Sequence, residues 1–501
     1  MFINEMKKTL NDEFNYSMTE NEALGFRTTG KALLDLNFKV ASLRSAGENK
    51  IIDLYMKAFY EDKLLALKWL FYARDAREGL GERRLFRVVA EYLCLHNPEA
   101  LKGLIPYIPE YGRFDDVLCI IGTPHTGIVI DMIKDQLKAD EADMAEGKPI
   151  SLLAKWLPSP NTSSKGTVAK AREIIKLLGM NEARYRKMLS KLRKYIDVVE
   201  VKMSGKQWGD IKYETVPSRA NLIYRDAFIR NDGDRRKEYL ASLEKGETKI
   251  NASVLYPHDI VHSYCSGKGY GISLKNKDIT LEELWKALPD TVNENGNTIV
   301  VADGSGSMIA HVGGTQVSAL SVANAIAIYF SERSSGQFKD NYITFSENPQ
   351  LVDFHNCSSL REKIELALRH NEVANTNIEA VFDLVLATAV RKKMQQSELP
   401  QNILIVSDME FDSAVDGSPD KRLFSVIAGK YARNGYKIPR LAFWNVNSRT
   451  ATIPVIENDL GIALVSGFSV NIAKMVLSGE LDPYKCLINE LMGERYARIT
   501  I

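Results

Sequence analysis

The sequence predicts a multidomain chain, with an N-terminal all-α solenoid followed by a C-terminal doubly wound α/β domain. Three observations carry this. The chain has 501 residues, more than one hydrophobic core ordinarily serves. From about residue 30 to 285 the apolar residues recur at helical spacing. From residue 298 short apolar runs alternate with helices, the grammar of a mostly parallel sheet covered on both faces. The expected boundaries are a polar arm over 1–22, a helical domain over 23–290 and an α/β domain over 297–501.

Composition excludes several classes. Hydrophobic residues make up 45% and charged residues 26%, as in an ordinary globular chain and unlike a disordered one. No apolar run nears the ~20 residues that cross a bilayer, and the start MFINEMKKTLNDEF lacks the apolar core of a secretion signal. A cytoplasmic protein with no membrane partner is expected. Cys94, Cys119, Cys265, Cys357 and Cys486 are scattered without a CxxC pair, which points to reduced thiols rather than a disulfide frame or zinc site. His258 and His262 can share a helix face, but without a third ligand they read as structural.

In the helical region, KIIDLYMKAFYEDKLLALKWLFYARDAR places Ile52, Tyr55, Phe59, Leu65 and Trp69 near helical spacing, and LFRVVAEYLCL repeats the theme. GLGE at 79–82 and IPYIPEYGRFDD at 105–116 interrupt it. Successive helical hairpins without a strict period suggest an irregular solenoid of the HEAT sort. Asp115 and Asp116 read as helix caps, and the charges of 74–82 as salt bridges across a helix corner.

Net charge is +1, yet residues 151–230 hold 17 Lys and Arg against 7 Asp and Glu. Lys165, Lys170, Arg172, Arg186, Lys187, Arg193 and Lys194 concentrate on two predicted helices joined at Asn181 and on the loop before them. Arg219 and Arg225 continue on the next helix. Clustered cations of this kind suit phosphate binding, with Trp156, Tyr185 and Tyr195 as stacking faces for unpaired bases. The plainer alternative is a solvated basic face whose aromatics belong to the core and whose charges pair with Glu173, Glu182, Asp197 and Glu200.

In the C-terminal region the expected strands are TIVVAD, NYITFS, QLVDF, NILIVSD, PRLAFWNV and GIALVSG. The turn Asp303-Gly304-Ser305-Gly306-Ser307 follows the first of them. Ligands of such sheets bind at the carboxyl ends of strands. Alternation aims the oxygens of Asp303, Ser305 and Ser307 at one point, and one carboxylate with two hydroxyls makes a hard oxygen site for Mg²⁺ rather than zinc. Asp408 ends another buried strand and faces the same crevice, and Thr376 in ANTNIEA can add a hydroxyl. The alternative is a polar strand-to-helix turn with a cap. There is no GxSxG and no GxxxxGK[ST], so a serine hydrolase and a P-loop enzyme fit poorly.

DxSxS after an apolar strand, a later loop Thr and an Asp at a strand end together resemble the metal-ion-dependent adhesion site of von Willebrand factor A domains. The resemblance implies a divalent cation (Mg²⁺, Mn²⁺ or Ca²⁺) on Asp303, Ser305, Ser307, Thr376 and Asp408, with an open position for a partner's carboxylate. Asp408 is followed by Met-Glu where that family commonly has Gly, and Glu410 and Asp412 add negative charge.

RDAREGLGE at 74–82 and IPEYGRFDD at 108–116 resemble the TROVE module of the Ro ribonucleoprotein family, which also pairs a helical part with an A domain. TTGKALLDLNFK, KWLPSPNTSSK, VPSRANLIYRDAF and VSGFSVN are similar to the domain of unknown function 2828 family. The Ro resemblance implies a ring-forming solenoid that binds non-coding RNA without catalysis. A rival reading is a protein-interaction adaptor whose metal site captures a partner carboxylate. A two-metal nuclease using Asp303 and Asp408 ranks third for want of further carboxylates.

Overall fold

The computed structural model describes residues 15–19, 24–266, 272–292, 297–313, 315–345, 348–371, 378–410, 421–450, 452–454, 461–478, 480 and 482–501. The chain folds as two compact units, residues 1–66 with 255–497, and residues 67–254 with 498–501. This division differs from the expected bounds of 23–290 and 297–501. The described residues before 67 and those from 255 to 497 belong with the sheet, and the first cut falls inside the helix Lys63–Arg74.

Two small antiparallel pairs precede the main sheet of the first unit along the chain. They are β1 (Tyr16–Met18) with β2 (Leu24–Phe26), and β3 (Cys265–Ser266) with β4 (Ser273–Leu274). The main sheet is six-stranded and mixed. Its strands are β5 (Thr298–Asp303), β6 (Asn341–Phe345), β7 (Leu351–Asp353), β8 (Asn402–Ser407), β9 (Arg440–Asn445) and β10 (Ile462–Ser466), in the order β10-β9-β8-β5-β6-β7. All pairings are parallel except β6 with β7. Strands β5, β8, β9 and, although it lies at one edge, β10 are buried on both faces, which explains their apolar runs. Strand β7 lies at the other edge and shows only Val352 to the core.

Alternate strand residues serve opposite faces. Ile299, Val301, Ile403, Ile405, Leu441 and Phe443 share a core with Phe382 and Leu386 of the helix Ile378–Lys392 and Tyr431 of the helix Lys421–Arg433. On the other face, Trp444 meets Phe330 of the helix Ala319–Arg333 edge-to-face, with ring centroids 5.9 Å apart. That helix is apolar almost all round because it is buried almost all round.

The N-terminal residues complete this unit. Phe26, at the end of β2, exchanges two 2.8 Å backbone hydrogen bonds with Ile453. Phe38, on the helix Ala32–Lys39, enters the sheet core, and its carbonyl accepts from Asn445 Nδ2 at 2.9 Å. The expected polar arm over 1–22 falls mostly outside the described residues. Its described part includes the strand Tyr16–Met18.

The second unit is helical. Its longer helices are Arg83–His96, Thr126–Ala145, Lys165–Leu177, Glu182–Tyr195, Ser218–Asn231 and Gly233–Glu244. Ser164 and Asn181 cap two of them, accepting from Thr167 N and Arg184 N. The two sequence fragments around 74–82 and 108–116 meet here. Asp116 caps its own turn by accepting from Arg113 N, and it is also the buried hub of an ion cluster. Arg74 Nε and Arg87 Nε donate to its two oxygens, both at 2.7 Å. Gly112 allows the approach, since a Cβ there would lie 2.5 Å from Asp116 Oδ2 and 2.9 Å from Arg74 Nε.

Candidate functional site

The register of β5 and β8 builds the candidate metal centre. Ala302 pairs with Val406, so the next residues, Asp303 and Ser407, stand side by side at the carboxyl ends, with Asp408 one step beyond. Strand order changes direction here, because β6 lies on one side of β5 and β8 on the other. In open α/β sheets such a switch point opens a crevice for ligands.

Asp303, 1% exposed, is held on both sides. Its Oδ2 accepts from Ser407 Oγ at 2.6 Å, and its Oδ1 accepts from Ser305 N at 2.9 Å. Ser305 and Ser307 hydroxyls lie 3.0 Å apart. Asp408 is equally buried, and its Oδ2 accepts no hydrogen bond from the described residues. Burial, and then the charge of Asp303, push the Asp408 carboxyl up to about 7. The Ser307 hydroxyl, Glu410 N and Arg449 oppose that rise. Two neighbouring buried carboxyls, one with an orphaned oxygen, among hydroxyls suit a hard divalent cation. The structure thus brings Asp303, Ser305, Ser307 and Asp408 together. Thr376 and Asp412 lie outside the described residues. Among the described residues no three His, Cys, Asp or Glu gather as they would around a metal held by those side chains alone.

The turn after β8 gives Met409 and Glu410 separate structural roles. Met409 has φ 64°, a region where glycine is favoured, and its side chain is buried in the sheet core. Glu410, also buried, accepts from Arg449 N at 2.8 Å, Thr450 N at 3.0 Å and the Thr450 hydroxyl at 3.1 Å. Ser407 and Arg449 carry no signal of their own in the sequence, and Glu410 reads there only as added negative charge, not as the acceptor that holds the 448–450 loop. Position alone pointed to them, since each follows or ends a strand whose carboxyl end lies in this row.

The basic helices form a second candidate site, contained within the helical unit. A groove of about 960 Å³ is lined by Lys155, Trp156, Arg186, Lys187, Ser190 and Arg193, among others. Arg186 and Lys187 are exposed, and among the described residues they make no ion pair. Arg193 is turned inward instead. It donates to the carbonyls of Ala154 and Leu157 and to Ser159 Oγ, and burial lowers its pKa. Lys170 pairs with Glu173 at 3.0 Å, and Arg172 lies 3.8 Å from Glu182. Arg225 donates to Leu222 O and approaches Asp226 at 3.9 Å. Lys165, Lys194 and Arg219 are exposed but do not line the groove.

The stacking faces expected from sequence are corrected in part. Tyr185 is fully buried, with its hydroxyl donating to Pro158 O. Trp156 already carries the Arg113 guanidinium 4.0 Å from its ring centre. Tyr195 remains partly exposed and donates to Lys148 O. His258 is buried and stacks on Tyr256, a structural role. The described cysteines are all free. No helix among the described residues is long and apolar enough to cross a membrane.

Two family models match the chain. Domain of unknown function (DUF2828) covers residues 19–109 and 169–298, and domain of unknown function (DUF7788) covers 297–490. The crystal structure of the Deinococcus radiodurans RO (RSR) protein aligns over 92% of this chain and 96% of that one. Its identity is 12% and its TM-score 0.34, too low to define a shared fold. Uncharacterized protein L728 of Acanthamoeba polyphaga mimivirus is 31% identical over 519 residues, which span 95% of this chain and 87% of the mimivirus protein. The chain therefore belongs to the family of that mimivirus protein, with a DUF2828 region leading into a DUF7788 region.

Proposed function

We propose that the protein is a non-catalytic RNA-binding protein of the Ro/TROVE-like type. In this reading a HEAT-like helical unit grips RNA by its phosphates, and a von Willebrand factor A-type sheet holds Mg²⁺ or a similar cation. The observation that carries RNA binding is the groove with Arg186 and Lys187 exposed on its rim and outside any ion pair among the described residues. The buried Tyr185, and Trp156 with one ring face already taken by Arg113, favour phosphate contacts over base stacking. Such binding falls steeply with salt. In a low-salt gel-shift titration with structured non-coding RNA, Arg186→Glu with Lys187→Glu weakens the complex across all sequences. Each lost phosphate contact reduces the salt slope by about 1. Unchanged affinity in that variant sinks the groove assignment.

Asp303, Ser305, Ser307 and Asp408, with Thr376, would hold the cation, which supplies a Lewis-acidic position for an oxygen ligand. Two carboxylates among three hydroxyls make a donor set for a single ion and favour ligand capture. Two-metal hydrolysis would instead call on several bridging carboxylates. The orphaned Asp408 Oδ2 also supports the adaptor reading, in which the cation takes a partner protein's carboxylate. An adaptor loses its partner on Asp303→Ala and shifts no RNA.

A further inference from the structure

We propose that Arg449 is a tethered cation which neutralises the metal-free site and is displaced from Asp408 when a divalent cation enters. The inference rests on the metal reading above. Asp408 is buried and its Oδ2 accepts no hydrogen bond from the described residues, yet Arg449 Nη2 lies 3.7 Å from that atom. That separation is too long for a hydrogen bond and short enough for attraction through space.

The backbone of Arg449 is fixed while its guanidinium comes from the solvent side. The side chain is 40% exposed, whereas Arg449 N and Thr450 N both donate to Glu410 Oε1. Glu410 follows Asp408 by two residues, and its own N–H donates to Asp408 Oδ1 at 3.3 Å. The clamp holds the 448–450 loop beside the acidic pair, and rotation about the Arg449 side chain carries the guanidinium toward or away from Asp408. A guanidinium is permanently charged, with its donors spread across a plane. It can balance charge at the mouth of the site but cannot sit among Asp303, Ser305 and Ser307 as a small ion does. A divalent ion that takes Asp408 repels it. Metal entry is then an exchange of one cation for another, and Arg449 sets the affinity.

The test is Mn²⁺ titration calorimetry on the full chain and three variants. Arg449→Gln, which keeps the stem and removes the charge, binds Mn²⁺ on the order of tenfold more tightly, and the gap narrows in high salt. Arg449→Lys, which keeps a charge, stays near the unsubstituted chain. Metal-free Arg449→Gln melts at a lower temperature than the unsubstituted chain, and the two converge when saturated with Mn²⁺. Equal or weaker Mn²⁺ binding by Arg449→Gln overturns the inference, as does equally tightened binding by Arg449→Lys. If the unsubstituted chain binds no Mn²⁺, or Asp303→Asn binds it equally well, the metal reading fails and takes this inference with it.

Discussion

A divalent cation will stabilise the sheet unit, and more so at pH 8 than at pH 6. Without metal, burial and the neighbouring charge of Asp303 raise the Asp408 carboxyl from its ordinary 3.8 to about 7. An acid with a raised folded pKa holds its proton more tightly folded than unfolded. Its contribution is therefore fully present below about pH 4 and lost as pH rises toward 7. At about 1.36 kcal/mol per pH unit, the metal-free unit gives up on the order of 4 kcal/mol across that window. A cation on Asp408 takes the proton's place. At pH 6 it must first remove that proton, which costs about 1.4 kcal/mol, or about tenfold in apparent affinity, relative to pH 8. Calorimetric melting with Mn²⁺ against a chelator at both pH values reads this directly. At sub-saturating Mn²⁺, the gain in melting temperature should be larger at pH 8 by about 2–4 °C. A gain equal at both pH values, or larger at pH 6, refutes the reasoning. Asp408→Asn should abolish the pH dependence.

Asp116→Ala strands the Arg74 guanidinium, 3% exposed, beside an empty acceptor. It should cost the helical unit about 3–5 kcal/mol, read as lost hydrogen-exchange protection over 67–254 in a urea series. Phe38→Ala removes a fully buried ring from the sheet core and should cost the other unit about 3–5 kcal/mol by urea titration. A loss under ~1 kcal/mol there would mean the N-terminal helix contributes little to that core. Met409→Gly relieves a left-handed residue, worth about 1–2 kcal/mol, but deletes a buried side chain worth about 2–5 kcal/mol. A net gain in stability would show that the backbone strain dominates.

The parallel strands were legible because both of their faces are buried, so the sequence runs apolar without a break, whereas the antiparallel edge strand β7 buries only Val352 and shows instead as a short alternation. Asp303 and Asp408 were legible because a carboxylate that ends such a strand has few places to go. The role of the N-terminal residues was not. Phe26 and Phe38 sit in an ordinary amphipathic pattern, and nothing local tells that their partners are Ile453 and Asn445, some four hundred residues on. The basic helices show the same limit. Counting charges found the segment, but Arg193 turns inward to three oxygens while Arg186 and Lys187, on the same helix, face the groove. Periodicity placed Tyr185 on that helix, yet only packing shows that its ring is buried.

The proximity of the two carboxylates is a consequence of strand register, and so is the loop that balances them. A one-residue slip of β8 against β5 would carry Ser407 from its place beside Asp303 and turn Asp408 to the opposite face. Because β8 is apolar on both faces, it is the side-chain packing of each face rather than polarity that opposes the slip, and Phe26 and Phe38 contribute to one of those faces. The turn after β8 then works in two directions. Through Ser407 it holds Asp303 on β5, and through Glu410 it holds the 448–450 loop that follows β9. Three neighbouring strand ends are joined through one short turn whose central residue, Met409, is locked in an uncommon backbone conformation by its own burial. A change of charge at Asp303 or Asp408 is therefore felt at the partly exposed Arg449 without any strand having to move.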